Sequence, residues 1–278
     1  MEEWFACPTG QHLQDWALER CDQAVSRCFG YYALQVGLPA WPLLRNSRIQ
    51  HRWAAATANA NHAPALIPTP IDGPAALLLD ATALPFEANC LDLLLLPHTL
   101  EASADPHAAL REAARVLVPE GRLLILGCNP ASLWGLQHRS RLLARRLGSQ
   151  SALPIPQVKH WISPRKLRDW LSLLGFEIDE GCFACYRPLL SQTNWFKRLQ
   201  WLEAAGDRWW PFLGGAYFLL ATKRVRGMRM LPQPRWQLAQ QAAGTAAAIR
   251  REEAQVASPH APTPAIPAQA PPTRSPSA

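Results

Sequence analysis

LDLLLLPHTLEASADPHAALREAARVLVPEGRLLILG, residues 91–127, carries the pattern on which the fold turns. Two short runs of continuous apolar residues, 91–97 and 121–127, flank a segment with helical periodicity. Neither run alternates apolar with polar residues, which marks strands buried on both faces of a parallel sheet. Between them Asp105 stands where a helix N-cap belongs and Pro106 takes the first helical position. Leu110, Ala113, Ala114 and Leu117 make one apolar face, and Pro119 with Gly121 closes the unit. Strand, helix and strand in this order form a right-handed crossover, so the expected class is α/β.

The same reading extends outward. AALLLD (75–80) and YALQV (32–36) are short apolar runs that read as strands, with HRWAAATA (51–58) as a further one. Leu13, Trp16, Ala17, Cys21, Ala24, Val25 and Cys28 recur at helical spacing, and Gly30 follows them. Ser163, Pro164 and Gly175 bracket a second helix, and a third is expected near 136–147. FEIDEGCFACY and GGAYFLLATKRV read as two closing strands, separated by the aromatic-rich helical insert NWFKRLQWLEAAGDRWW. Residues 59–74 carry four prolines without periodicity and read as a loop. One domain is therefore expected over 1–230, with inserts at about 129–162 and 186–213. Residues 231–278 turn Ala/Gln-rich and then Pro-rich; seven prolines and no aromatic residue in 257–278 predict a disordered tail.

Composition narrows the function classes. The chain has 278 residues, 49% of them hydrophobic and twelve of them tryptophan, enough for a sizeable core. No run of eighteen apolar residues occurs, which argues against a transmembrane segment. The start, MEEWFACPTG, lacks the basic-then-apolar order of a signal peptide, and seven cysteines without a framework suit a reducing, cytoplasmic setting. The net charge of +7 implies attraction to anionic partners and says nothing of the fold. Arg139, Arg141, Arg145, Arg146, Lys159, Arg165, Lys166 and Arg168 form the densest basic segment. They read first as a solvated lid over the substrate crevice, next as a site for an anionic substrate or lipid head group, and last as a nucleic-acid surface, for which no motif stands beside them. Cys182 and Cys185 make a single C-x-x-C with no second pair or spaced histidines, so no metal site is expected.

One further pattern runs through the centre of the chain. Asp80 and Ala81 follow the third strand, and Leu84-Pro85-Phe86 comes next. The strand Leu91-Asp92-Leu93-Leu94 and the phrase Arg115-Val116-Leu117-Val118-Pro119-Glu120-Gly121 complete the set. In these residues the chain resembles the class I S-adenosylmethionine-dependent methyltransferases, in particular the type 11 group. The likeness is densest over 79–128 and extends loosely from about 12 to 224. The resemblance implies a Rossmann-like fold: a mostly parallel sheet with helices on both faces and a closing antiparallel strand. It further implies an S-adenosylmethionine cofactor and a small-molecule substrate.

Carried over residue by residue, the resemblance places cofactor contacts at Gln35, Gly37 and Leu38 after the first strand. It adds Asp80 and Ala81 after the third strand and Pro97 at the end of the fourth. His98, with a near-neutral reference pKa, and Asn129 stand on the substrate side as catalytic candidates. Local readings compete with each: a turn aspartate at Asp80, a locally bonded loop histidine at His98, a plain Asn-Pro turn at Asn129. The chain also departs from the family's pattern. Gln35 replaces an acid, Leu38 and Pro39 stand near positions of glycines, and no acid follows the second strand, where Asn59 or Asn61 comes nearest. A catalytically reduced relative that binds a partner is the alternative to an enzyme.

Overall fold

In the computed structural model, which describes residues 2–5, 7–57, 77–146, 158–189 and 198–225, the chain opens with two helices, α1 (Glu2–Phe5) and α2 (Pro8–Val25). Three strands follow, β1 (Tyr32–Val36), β2 (His51–Thr57) and β3 (Leu77–Leu79). Then come β4 (Leu91–Pro97), α3 (Thr99–Ala102), α4 (Pro106–Val116) and β5 (Leu117–Cys128). The last part holds α5 (Leu133–Arg146), α6 (Pro164–Leu173), β6 (Phe176–Ala184), α7 (Trp201–Trp209), a 3-10 turn (Pro211–Leu213) and β7 (Ala216–Lys223). The tail expected over 231–278 lies outside the described residues, as do Asn59 and Asn61.

The strands form one seven-stranded sheet in the order β3-β2-β1-β4-β5-β7-β6. β1 to β5 pair in parallel, and β7 runs antiparallel to both β5 and β6. Both faces of the sheet are covered, which is why its central strands read as unbroken apolar runs. Alternate residues of β4 go to opposite sides. Leu93 and Leu95 belong to one buried cluster with Leu13, Ala17 and Cys21 of α2, while Leu94 and Leu96 belong to another with Leu110 and Ala113 of α4 and Leu167 of α6. Each fully buried leucine contributes roughly 1.5–3 kcal/mol relative to an exposed one.

Local chemistry sets the helix starts. Asp105 accepts from the N–H of His107 and Ala108, and Ser163 accepts from the N–H of Lys166. Arg115 explains two phrases of the sequence at once. Its guanidinium donates to Leu84 O at 3.0 Å and Phe86 O at 2.9 Å while pairing with Glu112 at 2.8 Å. Asp92 accepts from the N–H of Tyr31 and Tyr32, fixing the entry to β1. The first long helix begins at Pro8, earlier than the apolar spacing suggested, and stops at Val25 before Gly30. The strand expected at 121–127 begins four residues sooner, directly from the end of α4, with a register shift opposite Leu91–Leu93.

Candidate functional site

In an open parallel sheet the crevice for a ligand forms beyond the carboxyl ends of the strands, where the order reverses. Here β1 and β4 meet at that point. The chain leaves β1 through Gly37 (φ 99°) and Leu38 (φ 45°), two successive residues in the left-handed region. Gly37 donates its N–H to Ala55 O at 2.7 Å, and a Cβ on it would stand 2.6 Å from Thr99 Oγ1. Only glycine satisfies both conditions. Thr99, at the start of α3, donates its hydroxyl to Val36 O, so the loops after β1 and β4 are tied together.

Gln35 organises the first of these loops from within. It is fully buried, and its Nε2 donates towards Gly37 O (3.2 Å), Leu38 O (2.8 Å) and Trp41 O (3.0 Å). A carboxylate here would offer no proton to three carbonyl oxygens. Glutamine therefore belongs to the loop's own shape. Its Oε1 is buried and has no hydrogen-bond partner. Trp41 is turned inward, with its ring 4.6 Å from that of Phe5 on α1 and 6.3 Å from that of His98.

His98 has left-handed backbone (φ 54°) and only 3% of its surface exposed. Its Nδ1 lies 2.8 Å from Glu101 Oε2, and the other Glu101 oxygen accepts the N–H of Cys128. The Cys128 thiol stands 3.8 Å from the same Nδ1, and burial followed by the Glu101 charge pushes its pKa well up. These three side chains gather ligand-type atoms within 4.8 Å, but both carboxylate oxygens are already hydrogen-bonded. His98 Nε2 is buried without a partner. Sequence reasoning had singled out the histidine but not Glu101 or Cys128. An acid three residues beyond a histidine on a short helix was the one available signal, and nothing local pointed to the cysteine.

The other candidates sit as follows. Asp80 Oδ1 accepts from both the N–H and the hydroxyl of Thr82 at 2.9 and 2.8 Å, which leaves Oδ2 outside this turn. Ala81 is buried beside it, and Pro97 is buried at the end of β4. Asn129 is turned away from this group. Its Nδ2 donates to Phe212 O (2.8 Å) and Gly214 O (3.0 Å), and its Oδ1 accepts from Ala131 N. Gln35, Gly37, Leu38, Pro97 and His98 thus come together where β1 and β4 end, with Asp80 and Ala81 on the same edge at β3. A cavity of about 490 Å³ lies at the opposite edge, lined by Arg27, Arg122 and Arg224 against Glu120, Asp179 and Glu180. That is a solvated bed of mixed charge, with Arg224 paired to Glu120 and Glu177, and it holds none of the expected chemistry.

Residues 50–125 match the family model for a methyltransferase domain. The uncharacterized protein YafS of Escherichia coli (strain K12) is 32% identical over 162 residues, covering 57% of this chain and 59% of that protein. The chain thus spans less than two thirds of that relative's length. A chain from the Haloferax volcanii complex between the Trm112 methyltransferase activator and a methyltransferase superposes with a TM-score of 0.51 at 18% identity. The superposition covers 82% of this chain and 97% of that one. An S-adenosylmethionine-dependent methyltransferase from Archaeoglobus fulgidus gives a TM-score of 0.50 at 17% identity, covering 76% and 94%. Residues 50–125 thus match a methyltransferase domain, and the sheet order is that of the Rossmann-like methyltransferase fold.

Proposed function

We propose that the chain is an S-adenosylmethionine-dependent methyltransferase for a small-molecule acceptor, with its cofactor site where β1, β3 and β4 end. The observation that carries this reading is Gln35 Oε1, a buried acceptor with no partner, at the position where the family places an acid near the methionine ammonium. A buried acceptor left unpaired costs about 1–3 kcal/mol, which an ammonium donor would recover. Gly37 and Leu38 would bring backbone to the cofactor, Asp80 Oδ2 would accept from the adenine amine, and Ala81 and Pro97 would line the ring. When bound, the cofactor supplies an electrophilic methyl group on a sulfonium sulfur. With Nδ1–H donated to Glu101, His98 presents a bare Nε2 to take the proton the acceptor sheds. Asn129 shapes the rim through the 3-10 turn. The seven cysteines are all free, which fits a reducing compartment, and we place the protein in the cytoplasm.

A second reading has its own support. The Gln35 amide protons are spent on the loop's carbonyls, and Trp41 and Phe5 pack beside His98 without any ligand. A relative that keeps the fold and binds a partner would look like this. Calorimetric titration of the full chain with S-adenosylmethionine and S-adenosylhomocysteine separates the two. The first reading expects saturable heat, thermal stabilisation and weaker binding in Asp80→Ala. No heat and no stabilisation at millimolar ligand would favour the second.

A further inference from the structure

Two apolar clusters stand exposed on the rim of the sheet where β5 ends and β7 begins. On α5, Leu133, Leu136 and Leu143 recur at helical spacing and are all exposed. At the end of α7, Trp209 and the following Trp210 are exposed, and Phe212 of the 3-10 turn is 72% exposed. Both clusters hang from one joint. Asn129 lies four residues before Leu133, and its amide holds Phe212 O and Gly214 O. Gly215 packs against the buried Trp134 of α5, where a Cβ would meet the indole at 2.5 Å. Neither cluster contributes to the core, and neither takes part in the site at the ends of β1 and β4.

We infer that this rim is a docking surface for an anionic lipid bilayer. The surroundings are cationic. Arg139 is exposed on the flank of the leucine stripe, Arg208 is exposed one step before Trp209, and Lys159 is exposed on the segment whose N–H groups bond Glu101 O over α3. His138 of α5 packs on Trp161 at 5.1 Å, joining that segment to the same rim. Asp207 is the acid exposed beside Arg208, and the chain as a whole carries +7. Tryptophans at a turn, a leucine stripe on a helix and arginines at its edge are the parts of an interfacial anchor. The apolar groups enter the acyl boundary, the indole rings sit at headgroup level and the cations meet lipid phosphates. The inference does not depend on cofactor binding.

Co-sedimentation of the full chain with vesicles tests it, using phosphatidylcholine alone and phosphatidylcholine mixed with phosphatidylglycerol. Binding is expected to the mixed vesicles and to be far weaker on the neutral ones. It should weaken about tenfold or more in Trp209→Ser/Trp210→Ser and in Leu136→Ser/Leu143→Ser, and survive in part at moderate salt. Because the replaced side chains are exposed, both variants should keep the parent's circular dichroism and Tm. Quenching of tryptophan fluorescence by brominated acyl chains, reduced in Trp209→Phe/Trp210→Phe, would place the rings at the bilayer. No binding to mixed vesicles overturns the inference. So does binding that both serine variants retain and that salt abolishes, which charge alone explains. A concentration-dependent dimer that the serine variants dissolve, with no vesicle binding, would assign the rim to a second copy instead.

Discussion

Gln35 shows how a single substitution within a family's pattern changes what a loop is. An acid at the end of β1 can face a ligand's ammonium, but it cannot donate to the three carbonyls that Gly37, Leu38 and Trp41 turn towards this side chain. Gln35→Glu, which returns the family's acid, is therefore expected to destabilise the protein by about 3 kcal/mol, through a buried charge facing acceptors. The loss should grow as pH rises through the carboxylate range, and urea unfolding at two pH values measures it. Gly37→Ala should cost about 2 kcal/mol or more, because a Cβ would enter the Thr99 hydroxyl and the backbone stands at φ 99°. Gly37 was legible in the sequence as a strand-end glycine. The partners of Gln35 were not, since they depend on how the next six residues fold back.

At the level of elements, the caps and apolar faces were legible because they work within one turn of helix. Ser163, three residues before Lys166, accepts that residue's N–H as its place in the sequence suggested. Ser163→Ala should lower stability by about 1 kcal/mol with no change in the shape of the urea transition. Elements missed by periodicity are the short ones. α1 and α3 have four residues each, too few to show a repeat, and are held by what they pack on. α1 sits against Gly10 of α2, where a Cβ would meet Phe5 Cα at 2.5 Å, and its Trp4 and Phe5 reach the rings of Trp134 and Trp41. Within the aromatic-rich segment expected to be helical, Trp201–Trp209 form α7, but the exposed aromatic rim had no counterpart in the pattern, because burial is a property of the assembled surface.

Across the whole molecule, Glu203 ties three distant pieces together. Its Oε1 lies 3.3 Å from His12 Nε2 on α2 and 3.3 Å from Arg187 Nε, and its Oε2 accepts the N–H of Tyr186 beyond β6. Burial pushes the Glu203 carboxyl up, but the bond and charge of His12, the Tyr186 N–H and Arg187 together hold it below the usual carboxylate value of 4.5. A folded pKa below the unfolded one contributes stability above that value, and the contribution is lost as pH falls through the folded pKa. The urea midpoint should therefore decline as pH drops below 4.5, and Glu203→Gln should start lower at neutral pH and decline less. A midpoint with the same acid limb in both proteins would remove Glu203 from this role.

Buried strand runs, the crossover between them and the helix caps follow from the sequence alone, since each rests on periodicity or on hydrogen bonds spanning three or four residues. The pattern in the centre of the chain came with them, because Arg115 acts on Leu84 and Phe86, backbone that the pattern itself names. Other features required the fold. Asn129 reaches a carbonyl 83 residues away, Glu101 meets Cys128 across 27, and Trp41 meets Phe5 and His98 from a different loop. Contacts of that span have no local period to announce them. They exist only once the sheet has brought its strand ends to one edge.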